Sequence, residues 1–168
     1  VCSVPSTGGS SASGIATLNG NVYLAGNSNW AFEGDNYGRA TIWKYDANLN
    51  LVGRWKVPDH WGQFNAIAAT GANLYAVGYA TNQGAANSED YLVVKYDETG
   101  TLLWKKTSGG AGTDVLKGVV AIGSRIFAVG YTKSEGAGGT DAVILEIKEL
   151  DAIKTLDEAA GNWSGISN

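Results

Sequence analysis

Gly14-Ile15-Ala16-Thr17-Leu18-Asn19-Gly20-Asn21-Val22-Tyr23-Leu24-Ala25-Gly26 decides the fold, because the chain writes it twice more. Fifty-two residues on stands Ala66-Ile67-Ala68-Ala69-Thr70-Gly71-Ala72-Asn73-Leu74-Tyr75-Ala76-Val77-Gly78. After another 52 comes Gly118-Val119-Val120-Ala121-Ile122-Gly123-Ser124-Arg125-Ile126-Phe127-Ala128-Val129-Gly130. Neither step needs a gap. Gly26, Gly78 and Gly130 coincide, as do the aromatics Tyr23, Tyr75 and Phe127. Self-similarity at so long a period marks a repeat architecture, in which each copy is one supersecondary unit that buries its faces against its neighbours.

Two further blocks repeat with more elastic spacing. Ala40-Thr41-Ile42-Trp43-Lys44-Tyr45-Asp46 matches Tyr91-Leu92-Val93-Val94-Lys95-Tyr96-Asp97 and then Ala142-Val143-Ile144-Leu145-Glu146-Ile147-Lys148. Leu51-Val52-Gly53-Arg54-Trp55-Lys56 matches Leu102-Leu103-Trp104-Lys105-Lys106 and then Ala152-Ile153-Lys154-Thr155-Leu156. Elastic spacing places the length variation in loops. Each unit thus holds four short apolar runs, in the first copy around 14–18, 21–27, 39–46 and 51–57. Runs this short, rich in Val, Ile, Tyr and Trp and bounded by Gly, Asn and Asp, read as strands.

The first two runs of each unit are joined by Asn19-Gly20, Gly71-Ala72 or Gly123-Ser124, residues that tolerate the positive φ of tight hairpins. Asp97-Glu98-Thr99-Gly100 gives a second hairpin signal. Continuous apolar runs such as Leu74-Tyr75-Ala76-Val77 fit a sheet covered on both faces. The reading is all-β: three four-stranded antiparallel repeats, each a β-propeller blade. A β-sandwich needs no such long period, and an open β-solenoid is the other rival. Helix is expected at most over residues 156–160. Residues 1–13 read as a Ser/Gly-rich N-terminal tether, 14–65 as blade 1, 66–117 as blade 2, and 118–168 as blade 3 with a C-terminal tail.

Composition narrows the function. The 168 residues are 44% hydrophobic and 17% charged, a globular balance, with 24 Gly, six Trp and eight Tyr. The net charge of −4 offers no basic stripe to displace counterions from nucleic acid, so nucleic acid is not expected as a partner. No apolar run reaches the length needed to span a bilayer as a helix. The absence of Met implies a processed product or a piece of a longer chain. Cys2 is the only Cys, so no internal disulfide is expected; it is a free thiol or an anchor in the tether, although a lipid-bearing Cys would have to stand first.

The stretches Asp114-Val115-Leu116-Lys117-Gly118-Val119-Val120-Ala121, Ile126-Phe127-Ala128-Val129-Gly130-Tyr131-Thr132-Lys133-Ser134 and Gly138-Gly139-Thr140-Asp141-Ala142-Val143-Ile144-Leu145 carry a resemblance. Together with Lys95-Tyr96-Asp97, Gly100 and Leu103-Trp104, they resemble the bacterial seven-bladed β-propeller repeat family, the SBBP-type repeats. The likeness runs over about residues 14–160. It implies a secreted, periplasmic or cell-surface bacterial protein and no assigned chemistry. In that setting the sequon Asn162-Trp163-Ser164 carries no weight.

Three blades cannot close a ring, since propellers have four to eight. An open fan would expose apolar blade faces, which mark an interaction site. The expectation is therefore a non-catalytic structural or protein-binding scaffold, completed by self-association or by a protein partner unless the chain is a piece of a longer propeller. The alternative is a carbohydrate-binding, lectin-like module. Its site would lie on the long loops that join the second run to the third (27–38, 80–89, 132–140) and the fourth to the next unit (58–65, 107–114, 157–164). There Trp30, Phe32, Asp35, Tyr37, His60 and Trp61 are the candidate ligand- or partner-binding residues, with Glu33, Asn36 and Asp59 beside them.

Catalytic readings fare worse. His60 is the only His, and the adjacent Asp59 is badly placed to orient it in a relay. One His and one Cys are too few for a conventional zinc site, and no metal or other cofactor is expected. The Gly-rich runs at 109–112 and 136–139 precede no helix, so they do not read as phosphate cradles. Glu33, Asp35 and Asp59 could converge as glycosidase carboxylates, which makes a propeller hydrolase the third and weaker reading after scaffold and lectin. Asp90, Asp114 and Asp141 lack EF-hand spacing for calcium. Asp90 and Asp141 hold equivalent repeat positions and read as turn caps.

Overall fold

The computed structural model describes residues 9–29, 38–58, 61–81, 88–136 and 138–147. These form three antiparallel sheets with no helix among them. The first sheet runs β1 (Ser10–Leu18), β2 (Asn21–Ser28), β3 (Arg39–Tyr45), β4 (Leu51–Lys56). The second runs β5 (Trp61–Thr70), β6 (Asn73–Thr81), β7 (Glu89–Asp97), β8 (Leu102–Ser108). The third contains β9 (Val115–Ile122), β10 (Arg125–Thr132) and β11 (Asp141–Ile147). The run at 152–156, expected as its fourth strand, and the helix expected over 156–160 lie outside the described residues.

Each sheet is a simple meander, because short turns keep consecutive strands adjacent. Asn19 (φ 50°) and Gly20 (φ 75°) both take the left-handed conformation of a two-residue hairpin, whereas at the two equivalent turns only Gly71 and Gly123 do so. All these turns lie at one end of the sheets, and the long connections lie at the other.

The units begin earlier than the repeat suggested. β1 starts at Ser10, inside the expected tether, and the second and third sheets start at Trp61 and Val115 rather than at 66 and 118. The cause is a β-bulge in each first strand. Pairing passes from Ala12↔Gly26 to Gly14↔Ala25, from Phe64↔Gly78 to Ala66↔Val77, and from Leu116↔Gly130 to Gly118↔Val129. Ser13, Asn65 and Lys117 are the extra residues. A bulge breaks the two-residue alternation, so the pattern is readable only from the residue after it.

The bulge also explains the coincident glycines. A Cβ on Gly26 would lie 1.9 Å from the Ser11 carbonyl oxygen, one on Gly78 1.9 Å from that of Gln63, and one on Gly130 2.0 Å from that of Val115. The first strand presses its backbone into the space that a side chain would fill.

Two apolar cores lie between consecutive sheets. Strands β1, β2 and β3 pack on β5, and β5, β6 and β7 pack on β9. The first core joins Tyr23, Ala25, Ala40 and Ile42 of the first sheet to Phe64, Ile67, Leu74, Ala76, Leu92, Val94 and Tyr96 of the second. The second core joins Tyr75, Val77, Tyr91 and Val93 of the second sheet to Leu116, Ile126, Ala128 and Ile147 of the third. Adjacent residues of β6 and β7 thus go to opposite cores, and the second sheet is buried on both sides, as its continuous apolar runs indicated. Full burial of each large aliphatic or aromatic side chain is worth about 1.5–3 kcal/mol.

Gly78→Ala is expected to cost at least about 3 kcal/mol, because backbone must move to admit the methyl group. Chemical denaturation measures it; a loss below about 1 kcal/mol would show that the bulge is not held rigidly.

Candidate functional site

The residues named from the sequence divide sharply. Trp30, Phe32, Asp35, Tyr37 and His60 lie outside the described residues. Trp61 does not sit on a loop, as expected, but opens β5, paired with Thr81 and half buried. Its neighbour Gly62 holds the two sheets together: its N–H donates to the Gly38 carbonyl at 3.1 Å, and its carbonyl accepts from Asn27 Nδ2 at 2.9 Å. The loop before β5 is shorter than the sequence suggested, because the strand includes the segment ahead of the bulge.

At the long-loop end, the described residues converge on Asp114, which is 1% exposed. It precedes β9, and its N–H donates to the Glu89 carbonyl at 2.6 Å. Oδ1 accepts from the Thr132 hydroxyl and from the Lys133 N–H at 3.2 Å. Oδ2 accepts from the Gly110 N–H at 2.9 Å and from the Ser134 hydroxyl at 2.6 Å. Ser134 in turn accepts from the Gly112 N–H at 3.0 Å. One carboxylate therefore ties the loop between the second and third sheets to the loop between β10 and β11.

Such an arrangement is suited to holding loops, not to chemistry. A carboxylate offers about four acceptor sites, and donors of this chain take four here. Burial, with the Asp114 and Glu135 charges acting the same way against a Thr132 hydrogen bond, pushes the nearby Tyr91 hydroxyl up to about 12. Tyr91 therefore stays a neutral phenol at ordinary pH. Among the described residues, no three His, Cys, Asp or Glu side chains are placed to hold a metal ion.

Asp90 and Asp141, read as turn caps, lie at strand starts, opposite Ala80 and Thr132. Capping is seen at Asp46 and Asp97 in the β3–β4 and β7–β8 turns. Asp46 Oδ1 accepts from the N–H groups of Asn48 (2.9 Å) and Asn50 (2.8 Å). Asp97 Oδ1 accepts from those of Thr99 and Thr101, both at 2.9 Å, and from the Thr99 hydroxyl at 2.7 Å. Those bonds, the Thr99 hydroxyl foremost, hold the Asp97 carboxyl down at about 2.

The same turn links the sheets. The Glu98 carbonyl accepts from Lys44 Nζ at 2.9 Å and its side chain accepts from Asn19 Nδ2. Lys44 lies 5.7 Å from the Tyr23 ring and Lys95 5.5 Å from the Tyr75 ring, a cation–π contact that repeats with the fold.

Sequence reasoning missed Asp114 as a lock and missed the bulge residues as connectors. Gln63 Nε2 donates to Ser13 Oγ at 3.2 Å, and Asn65 Nδ2 to the Leu116 carbonyl at 2.7 Å. A signal for these was present: Ser13, Asn65 and Lys117 are polar residues at the same repeat position. No helix among the described residues is long and apolar enough to cross a membrane. No family model matches the chain, and a search of curated proteins finds no similar sequence.

Asp114→Ala is expected to destabilise the chain by about 2–4 kcal/mol, since it orphans several donors. Hydrogen exchange should show residues 109–114 and 132–134 losing protection first; unchanged exchange there would contradict the lock. For Asp97, the folded value lies below the ordinary 3.8, so the unfolded chain binds the proton first. Its contribution is complete above about pH 4 and is lost as pH falls towards 2. The stability difference between native chain and Asp97→Asn should shrink across that window. An NMR midpoint for Asp97 near 4 would show that the turn does not hold the charge.

Proposed function

We propose that each sheet is one blade of a β-propeller of the SBBP-type repeat family, and that the chain is a non-catalytic structural and protein-binding module. Assembly completes it, at an extracellular, periplasmic or cell-surface location. One observation carries this reading: the outer face of the third sheet. Val129 and Ile144 are 46% and 70% exposed there. Their repeat counterparts are Ala25 and Ile42 in the first sheet and Val77 and Val93 in the second, all fully buried between sheets.

Val120 and Ile122 extend the same exposed face. A contiguous apolar patch on a folded surface is characteristic of an interaction site. Here the patch has the composition of a face that elsewhere in the chain meets another sheet. The radial reading is supported by the way each sheet meets the next through its first strand. A non-catalytic role is supported by the saturated Asp114 carboxylate and the neutral Tyr91 phenol.

A glycan array separates this reading from the lectin-like one. The native chain is expected to retain no saccharide. A saccharide bound by the native chain and lost in Trp61→Ala or Trp30→Ala would overturn the proposal, since binding would then run through the loop-end aromatics.

A further inference from the structure

We infer that the open face of the third sheet is covered by the first sheet of a second copy of this chain, and reciprocally, so that two chains pair about a two-fold axis into six consecutive sheets. The inference rests on the assembly reading above and adds the identity of the partner.

At both junctions inside the chain, the following sheet is met chiefly through its first strand, β5 at one and β9 at the other. On β5, the side turned back towards the first sheet carries Phe64 and Ile67, both buried, and Ala69 packed beside them. The same register on β1 is Ala12, Ile15 and Thr17. All three are exposed, Ile15 by 66%. Among the described residues, β1 thus turns to solvent the side by which β5 docks.

The third sheet ends the chain of junctions with the complementary side. Val120, Ile122, Val129 and Ile144 are exposed. Of their counterparts in the first sheet, Ala25 and Ile42 belong to the first core, and Ala16 and Leu18 pack against it partly buried. One chain thus carries, on the third sheet and on β1, counterparts of the first-strand contacts that it forms twice internally. Trp43 and Tyr45, on β3 of the first sheet's outer side, are already buried. The contact is accordingly assigned to β1 and β2.

A polar feature runs in the same direction. At each internal junction the bulge residue reaches the first strand of the following sheet: Ser13 bonds Gln63, and Asn65 donates to the Leu116 carbonyl. Lys117 is the third bulge residue, exposed and a donor. The carbonyl that occupies the Leu116 position in a second copy's first sheet is that of Ala12. A self-pair through such surfaces is closed by two-fold symmetry, with both copies using both surfaces.

Sedimentation analysis of the full chain over a wide concentration range tests this. The native chain is expected to be a dimer. Ile144→Glu and Ile15→Lys should each weaken pairing by at least about a hundredfold, the scale of burying one unpaired charge. Each should keep the native circular dichroism spectrum, because both sites are exposed in the single chain, and should lose only the concentration-dependent part of the native melting temperature that pairing supplies. Mixed in equal amounts, the two variants should pair again, since the mixed dimer retains one junction with both native residues.

A native chain that is monomeric at every concentration would overturn the inference while leaving assembly with a different protein intact. A dimer indifferent to Ile15→Lys would overturn it too, pointing to contact between two third sheets. Loss of the assembly reading itself would appear elsewhere, as saccharide binding through Trp61 or Trp30.

Discussion

The structure depends on one extra residue in the first strand of each sheet. With Ser13, Asn65 and Lys117 inserted, the strand bends and its backbone carbonyl closes onto Gly26, Gly78 or Gly130. Bulges raise local twist and re-aim side chains. Here the re-aimed side chains of Ser13 and Asn65 meet the next sheet, and the apolar residues beyond the bulge fall into the intersheet cores. A glycine that cannot be replaced and a polar residue that breaks an apolar strand are two views of the same event.

Given that bend, burial follows position in the stack and not residue type. Val77, Val93, Val129 and Ile144 are alike in chemistry and in register, yet the first two are fully buried and the others are exposed. The second sheet is covered on both sides and supplies residues to both cores. Stability in such a stack is close to a sum of units and nearest-neighbour interfaces, so the middle sheet carries the most and the terminal faces the least. The polar ties follow the same neighbour rule. Glu98 at one end and Asn27 with Gly62 at the other join the first two sheets, and Asp114 fastens the loops of the last two.

Much of this was legible in the sequence. The triplicated Gly14–Gly26 pattern located the strands, and Asn19-Gly20, Gly71 and Gly123 marked hairpins that the backbone dihedrals bear out. The unit boundaries were legible only to within a few residues, because the bulge destroys the alternation on which strand reading relies. Trp61 was assigned to a loop for that reason. The role of Asp114 was not legible because its partners Thr132 and Ser134 belong to a later strand and loop and are brought to it only by folding. Asp90 and Asp141 are equivalent in the repeat and share a register position, opposite Ala80 and Thr132. Equivalence shows a shared environment, however, and does not say whether that environment is a turn or a strand start.

The bulge has a consequence at the scale of whole assemblies. A surface that docks onto a differently shaped surface of its own kind propagates, and whether the chain of contacts returns on itself or runs on as a fibre depends on the rotation added at each step. Within this chain the bulged strands β5 and β9 are those through which one sheet meets the sheet before it, so under the self-pairing proposed above the bend at the bulge lies on that step. A deletion that straightened one of these strands would alter the step between neighbours, and with it the choice between a particle of fixed size and endless polymer.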